Sequence, residues 1–279
     1  MKKWKTIVKP RTGIWEWPVK EIWKYRNLMG MLVKRNYEIQ YKQTILGPFW
    51  IVFGQIFSAG IFSLLFGYVG RFSSEGIPYY LFYMSGNVIW SYFSGCVTSN
   101  STVFLSNAYL FGKVYFPRLI VPFANCIFEA IRSGVQFLVC FAVWLFFFFK
   151  GEVPFMGWYM LIMPFLFLEM MLIGMAVGMI ISSLTTKYRD LMHLTNIGIQ
   201  LLMYASPVLY PISQLPDSVQ KIVLLNPIAS IVEAFRYCLT GCGVLRLNSL
   251  IYSAVFSVVI WVISVIQFNQ TEKNFIDII

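Results

Sequence analysis

Long stretches without a charged side chain constrain this chain more than any other feature. They cover 43–70, 76–112, 133–149, 170–186, 191–216 and 247–271. A helix that crosses a bilayer needs about twenty predominantly apolar residues, and each stretch offers most or all of that length. Trimmed at turn signals, they predict six membrane helices: Leu46–Tyr68, Tyr79–Leu105, Leu119–Phe149, Phe155–Leu184, Met192–Tyr210 and Leu247–Phe268. The composition agrees, with 58% hydrophobic residues, 12% charged residues and a mean hydropathy of +0.68. The expected fold class is therefore an all-α polytopic membrane protein. An even number of spans puts both termini on one side.

Basic residues in short loops set orientation. The N-terminal segment, Lys113, Arg118, Lys187, Arg189 and Lys273 bring sixteen Lys and Arg to one side, against five on the other. The first side, with both termini, is expected to be cytoplasmic. A net charge of +10 would suggest nucleic acid in a soluble chain. Here it is explained by topology and anionic headgroups, so no nucleic-acid partner is expected. The basic N-terminal segment has no apolar signal-peptide core, and the first span is expected to be retained.

Two segments depart from a plain six-span pattern. In Lys20–Lys42, Tyr25, Leu28, Met29, Leu32 and Ile39 fall on one helical face, and Lys24, Asn27, Lys34, Arg35, Glu38 and Lys42 form the other. A basic amphipathic helix of this kind lies in the membrane interface. Around 213–243, breaks at Pro216 and Asn226-Pro227 predict two short helices, about 217–225 and 227–241, with Asn226 as N-cap and Pro227 at the first helical position. A re-entrant hairpin on the outer side, between spans five and six, fits them. The domain plan is a tail at 1–19, an interface helix at 20–42 and a transmembrane domain at 43–279. Between the last two, "YKQTILGPFW" at 41–50 reads as an elbow, where Gly47-Pro48 turns the chain from lying along the membrane to crossing it.

Candidates for chemistry are few. The single histidine, His193, and the five cysteines show no metal-type spacing, and no paired acidic or nucleophile motif occurs. The only Gly-Lys pair, Gly112-Lys113, lacks the rest of a phosphate-binding loop, so ATP hydrolysis would need a separate subunit. Charges inside apolar spans are candidates by default. Glu129 with Arg132 and Glu233 with Arg236 stand three apart and are expected chiefly to neutralise each other, whereas Glu169 has no local partner. Gly174 and Gly178 suit close helix approach, more within the chain than at a dimer seam. Aromatic residues make up 18% of the chain. Trp50, Phe53, Phe57, Trp90, Tyr92, Phe93, Tyr204 and Tyr210 fall in or near spans one, two and five, where they either pack in the bundle or offer faces to the C–H edges of sugars.

The stretches "YKQTILGPFW" at 41–50, "NAYLFGKVYFPRLIVP" at 107–122 and "NPIASIVEAFRYCLTG" at 226–241 resemble those of ABC-2 type polysaccharide exporter permeases, the group that includes O-antigen, capsule and teichoic-acid exporters. The resemblance runs from the amphipathic helix to the sixth span. It implies a bacterial cytoplasmic-membrane permease, paired with a second copy of itself and with two ATPase subunits. Those subunits would hold the ATP and magnesium, leaving no cofactor in this chain. The implied substrate is a polysaccharide on an undecaprenyl pyrophosphate-type lipid. Lys34, Arg35, Lys42, Lys113 and Arg118 are the candidates for its pyrophosphate. Implied ATPase contacts are Trp23, Tyr25 and Arg26 on the interface helix, Tyr109 and Phe111 in the second basic loop, and Lys187, Arg189 and Asp190 in the third. The 217–241 hairpin, with Pro227, Glu233 and Arg236, would be the outer gate. The alternatives are an ABC-2 permease for another lipid or a drug, a membrane-embedded glycan-processing enzyme, and a secondary transporter.

Overall fold

The computed structural model describes residues 23–70, 74–113 and 116–275; the expected tail, residues 20–22 of the expected interface helix and Arg71 lie outside them. Helix α1, Arg26–Tyr41, buries Leu32 and sets Tyr25, Leu28, Met29 and Val33 against the core. Lys34 and Glu38 stay in solvent, 4.0 Å apart. Ile39 departs from the expected apolar face: it is 74% exposed, because it stands over a groove and not against a neighbouring helix.

After α1 the chain turns sharply. Gln43 and Gly47 adopt positive φ (72° and 50°), and the Thr44 hydroxyl donates to the Tyr41 carbonyl at 2.8 Å. Pro48 then sits at the N-terminal boundary of α2, Phe49–Phe62. An N–H there would have no intrahelical acceptor, so the proline costs little. The chain thus turns at Gly47-Pro48, and α2 runs on as a π-helical segment, Ser63–Val69.

The remaining elements are α3 (Tyr79–Asn100), α4 (Val103–Ser106), α5 (Ala108–Lys113), α6 (Ile120–Phe149), α7 (Met163–Thr185), α8 (Leu191–Tyr204), α9 (Asp217–Leu225), α10 (Pro227–Thr240) and α11 (Leu247–Phe275), with a 3-10 turn at Gly157–Ile162 leading into α7. No strand occurs among the described residues. Among the described residues, four helices are long and apolar enough to cross a membrane, Phe49–Val69, Ile120–Phe149, Gly157–Thr185 and Leu247–Glu272, and a fifth if the bent pair Asp217–Leu225 and Pro227–Thr240 is one span. The other two expected spans differ. Helix α3 has 22 residues but carries polar groups such as Asn87, Ser91 and Asn100. Helix α8 has only 14 residues and stops at Tyr204 instead of Tyr210, because Pro207 disfavours helical geometry at Ser206 and removes an N–H donor.

Helix α7 lies between α3 and α11, and α3 also packs on α6. In lipid, water supplies no hydrophobic drive between helices, so close backbone approach carries the packing. Gly174 and Gly178 provide it: a Cβ at 178 would stand 2.6 Å from the Asn100 Cβ and 2.9 Å from the Val97 carbonyl oxygen. The two glycines thus face α3 of the same chain. The α2 helix and α8 touch this bundle more lightly and expose Phe49, Trp50, Phe57, Leu194 and Leu201 on their outward faces. Thr185 donates to the Ser101 carbonyl at 3.1 Å, which places the end of α7, the end of α3 and α1 at one basal end of the bundle. At the distal end, the Tyr79 hydroxyl donates to the Leu209 carbonyl.

Candidate functional site

The basal end is organised by a chain of side-chain amides. The Asn36 amide on α1 donates to the Asn125 oxygen on α6 at 2.9 Å. Asn125 in turn donates to the Asn100 oxygen on α3 at 3.2 Å and to the Ser99 carbonyl at 3.0 Å. Asn100 donates to the Cys96 carbonyl at 2.9 Å. Beside this ladder, Arg35 donates to the Asn107 oxygen at 3.0 Å. Three helices far apart in sequence are therefore joined by polar contacts at the level where α1 meets the bundle. None of these asparagines stood out in the sequence, because each is a single polar residue with its partner 25 or 89 positions away. Asn125→Leu is expected to cost about 1–3 kcal/mol, since it strands the Asn36 donor and the Asn100 acceptor. A fall in the thermal unfolding midpoint of the detergent-solubilised chain would measure it, with Asn87→Leu as a comparison outside the ladder.

The pyrophosphate candidates separate on inspection. Lys34 and Lys42 are exposed on α1 and at its C-terminal boundary. Lys113 lies over the Tyr109 ring, 3.9 Å from its centroid, and remains exposed. Arg35 is turned inward onto Asn107. Arg118 is buried, donates to the Glu272 carbonyl at 3.0 Å and faces the Glu272 carboxylate at 3.6 Å. Burial draws its guanidinium below the ordinary arginine pKa, and Glu272 opposes that shift. Arg118 thus ties α11 to the start of α6, which departs from its expected role as a phosphate ligand: its donors are engaged within the chain.

Among the candidate ATPase contacts, Trp23, Tyr109, Lys187, Arg189 and Asp190 are exposed around the basal end, with Arg26 stacked 6.0 Å from the Trp23 ring. Tyr25 is half-buried against the core, and Phe111 is buried between Phe104 and Phe116. Phe111 is therefore a packing residue, not a surface contact.

The candidate aromatic path also divides. Trp50, Phe53, Phe57 and Tyr204 are exposed, and Tyr210 is half-buried in a cavity of about 340 Å³ with Phe66, Tyr204 and Leu215. Trp90, Tyr92 and Phe93 are buried on α3, with Trp90 against Phe93 at 5.3 Å and Tyr92 against Phe167 at 5.5 Å. These three are core groups. Aromatic residues spread around a mostly apolar helix do not by their spacing separate a lumen face from a packing face.

At the distal end, α9 and α10 meet at a bend of 103°. Asn226 caps α10 as expected, its side-chain oxygen accepting from the Ile228 N–H at 3.1 Å, with Pro227 opening the helix. Arg236, 1% exposed, shares its electrostatic field with Glu233 as expected but spends its hydrogen bonds elsewhere. Its Nη2 donates to the Pro207 and Val208 carbonyls at 2.8 and 3.2 Å, and its guanidinium lies 3.7 Å from the Phe82 ring centroid. The sequence interval suggested a helical pair, but the turn after α8 offers two carbonyl acceptors that no helix satisfies. Gly86 leaves the room, since a Cβ there would stand 2.7 Å from Nη2. Glu233 is buried beside Gly243, with Arg246, Arg236 and the Val244 amide about its carboxylate. Glu129 and Arg132 do pair, at 3.5 Å. Glu169 on α7 is 2% exposed, and neither carboxylate oxygen has a hydrogen-bond partner among the described residues.

Several apolar spans around one bundle, a basal helix packed against it and a distal pair of short helices define a multi-pass membrane protein. Among the described residues no cluster of His, Cys, Asp or Glu could hold a metal ion. The family model for ABC-2 type transporters matches residues 27–240, and the chain belongs to that family. It is similar to an O-antigen export system permease protein RfbA of Klebsiella pneumoniae, 26% identical over 91% of this chain and 95% of the relative. A second Klebsiella RfbA is 27% identical over the same shares, and one from Myxococcus xanthus is 26% identical over 78% of this chain and 82% of its own length.

Proposed function

We propose that this chain is the membrane permease of an ATP-driven exporter of lipid-linked polysaccharide, of the O-antigen kind. The observation that carries the reading is likeness to O-antigen export permeases along nine-tenths of the chain. In this reading the chain is a transport permease and not an enzyme. It works in the bacterial cytoplasmic membrane with a second copy of itself and two ATPase subunits, which supply ATP, magnesium and force. The basal end faces the cytoplasm with both termini, and the exposed ring of Trp23, Tyr109, Lys187, Arg189 and Asp190 receives the ATPase. The bent pair α9–α10 is a re-entrant outer gate.

The substrate is a glycan on an undecaprenyl pyrophosphate-type lipid, whose phosphates meet Lys42 and Lys34 at the elbow, with Lys113 nearby in the next basic loop. Lys34 and Lys42 are exposed, and in this reading they lie at headgroup level, where a fixed ammonium adds about 1 kcal/mol of attraction for an anionic lipid. Trp50, Phe53, Phe57, Tyr204 and Tyr210 offer faces along which sugars slide, and the glycan kind of cargo accounts for their exposure better than a drug does. The test is purification of the tagged chain from its native membrane. An ATPase subunit and a bound glycolipid are expected to accompany it. Lys42→Gln is expected to reduce surface polysaccharide several-fold while ATPase association persists. A permease that purifies alone, from a cell whose polysaccharide export survives its deletion, would overturn the reading.

A further inference from the structure

Two grooves open in the basal half of the bundle, and their linings differ in kind. One, of about 290 Å³ between α3, α7 and α8, is apolar and includes Val97, Val177, Ile181, Leu194 and Leu202. The other, of about 350 Å³, lies between α1, α3 and α6 and is rich in hydrogen-bonding groups. Arg35, Gln40, Thr102, Asn107, Phe128 and Glu129 are among its walls. Its volume falls in the range of single small-molecule sites.

The chemistry of this lining selects among ligands. A phosphate would face the Glu129 carboxylate, which is 6% exposed and held at the wall against Gly95, where a Cβ would stand 2.4 Å from its Oε2. A cation would face the Arg35 guanidinium, with Arg132 paired to Glu129 at 3.5 Å. An acyl chain would desolvate amides and a carboxylate for nothing in return. A sugar ring meets none of these objections. Each hydroxyl both donates and accepts, so it suits an acceptor-only carboxylate, a donor-only guanidinium and the two-way amide of Gln40 together. The ring's C–H face suits Phe128. Arg35 Nε is buried and has no hydrogen-bond partner, so a small shift of the side chain would present it to a hydroxyl. The ladder from Asn36 to Asn100 holds the three walls in place without consuming Gln40 or Thr102.

We propose that the groove is a sugar-binding subsite of the permease, taking a neutral, hydroxyl-bearing sugar of the lipid-linked glycan close to its pyrophosphate. The inference rests on the exporter reading above. Gln40 precedes Lys42 by two positions at the end of α1, so a phosphate held at the elbow leaves its first sugars beside the groove mouth. Arg35, first expected to bind pyrophosphate, becomes a hydroxyl donor instead.

The test replaces Gln40, exposed and outside the ladder, with the photoreactive residue p-benzoylphenylalanine in the full chain, expressed with its native ATPase subunits and glycan. The same replacement at Phe146, on the exposed face near the other end of α6, serves as control. Irradiation is expected to attach glycan to the permease from position 40 and not from 146. Thr102→Val with Glu129→Gln is expected to reduce the initial export rate about tenfold, the loss of roughly one charge-assisted hydrogen bond, while the ATPase subunits still co-purify with the permease. Normal export with no glycan attached at position 40, or attachment of phospholipid alone, overturns the subsite and leaves the exporter reading standing. If the unmodified complex exports no polysaccharide, the exporter reading fails and the subsite fails with it.

Discussion

Arg236→Leu is expected to destabilise the folded chain by about 3 kcal/mol and to abolish transport. The estimate follows from the two carbonyl oxygens, of Pro207 and Val208, that the guanidinium satisfies. Each buried acceptor left unpaired costs about 1–3 kcal/mol, and leucine returns only apolar contact with Phe82. Arg236→Lys is expected to recover little of this. An ammonium keeps the charge, but it lacks the planar fork that stacks on a ring while donating along its edge. The readouts are the thermal unfolding midpoint in detergent and export in cells. If the lysine variant restored both, charge alone would be the requirement, and the clamp on the turn after α8 would be incidental.

Gly178→Val carries the other large effect. Its Cβ would stand 2.6 Å from the Asn100 Cβ and 2.9 Å from the Val97 carbonyl oxygen, and backbone on a packed helix has nowhere to yield. Overpacking of this kind costs about 1–3 kcal/mol and sometimes more. Asn100 also ends the amide ladder, so a shift of α3 away from α7 would disturb Asn125 and, through it, α1. The expected result is a strong loss of folded protein in the membrane fraction. Gly134→Ala, where nothing lies within 4 Å of the added atom, is expected to behave as wild type. Equal folded yields for the two variants would remove close approach as the reason for glycine at 178.

What was legible in the sequence is what local chemistry decides. Asn226-Pro227 is read as cap and first turn because the cap acts on an N–H two residues away. Gly47-Pro48 is read as an elbow because glycine reaches positive φ and proline opens helices. The long apolar runs identify four spans directly. The misreadings arise where two distant segments meet. Residues Ala205–Tyr210 are as apolar as a helix interior, and the end of α8 shows itself only through Pro207 and the acceptors that Arg236 fills. Trp90, Tyr92 and Phe93 carry the same composition as a lumen face and are buried by Phe167 and their own helix. The basal groove needs Arg35, Thr102 and Glu129 side by side, and nothing in their spacing along the chain brings them together. The roles of Arg118 as a phosphate ligand and Phe111 as an ATPase contact follow from the family resemblance, whereas burial assigns both residues to the chain's own basal packing.

The elbow has a mechanical consequence. Helix α1 is fastened to α3 and α6 by amides, whereas the helix after the elbow meets the bundle through Ala59 and, toward its far end, through the stacked rings Phe62–Tyr83 and Phe66–Tyr79. The helical stretch Phe49–Val69 has 21 residues, a rod of about 30 Å at the usual rise per residue. With its pivot at one tip, a swing of about 10° carries the other tip about 5 Å, close to the pitch of one helical turn. A swing of that size would part the Phe62–Tyr83 and Phe66–Tyr79 rings, so those contacts are what hold the rod against its seam. The amplitude is set by lever length and not by the size of the push.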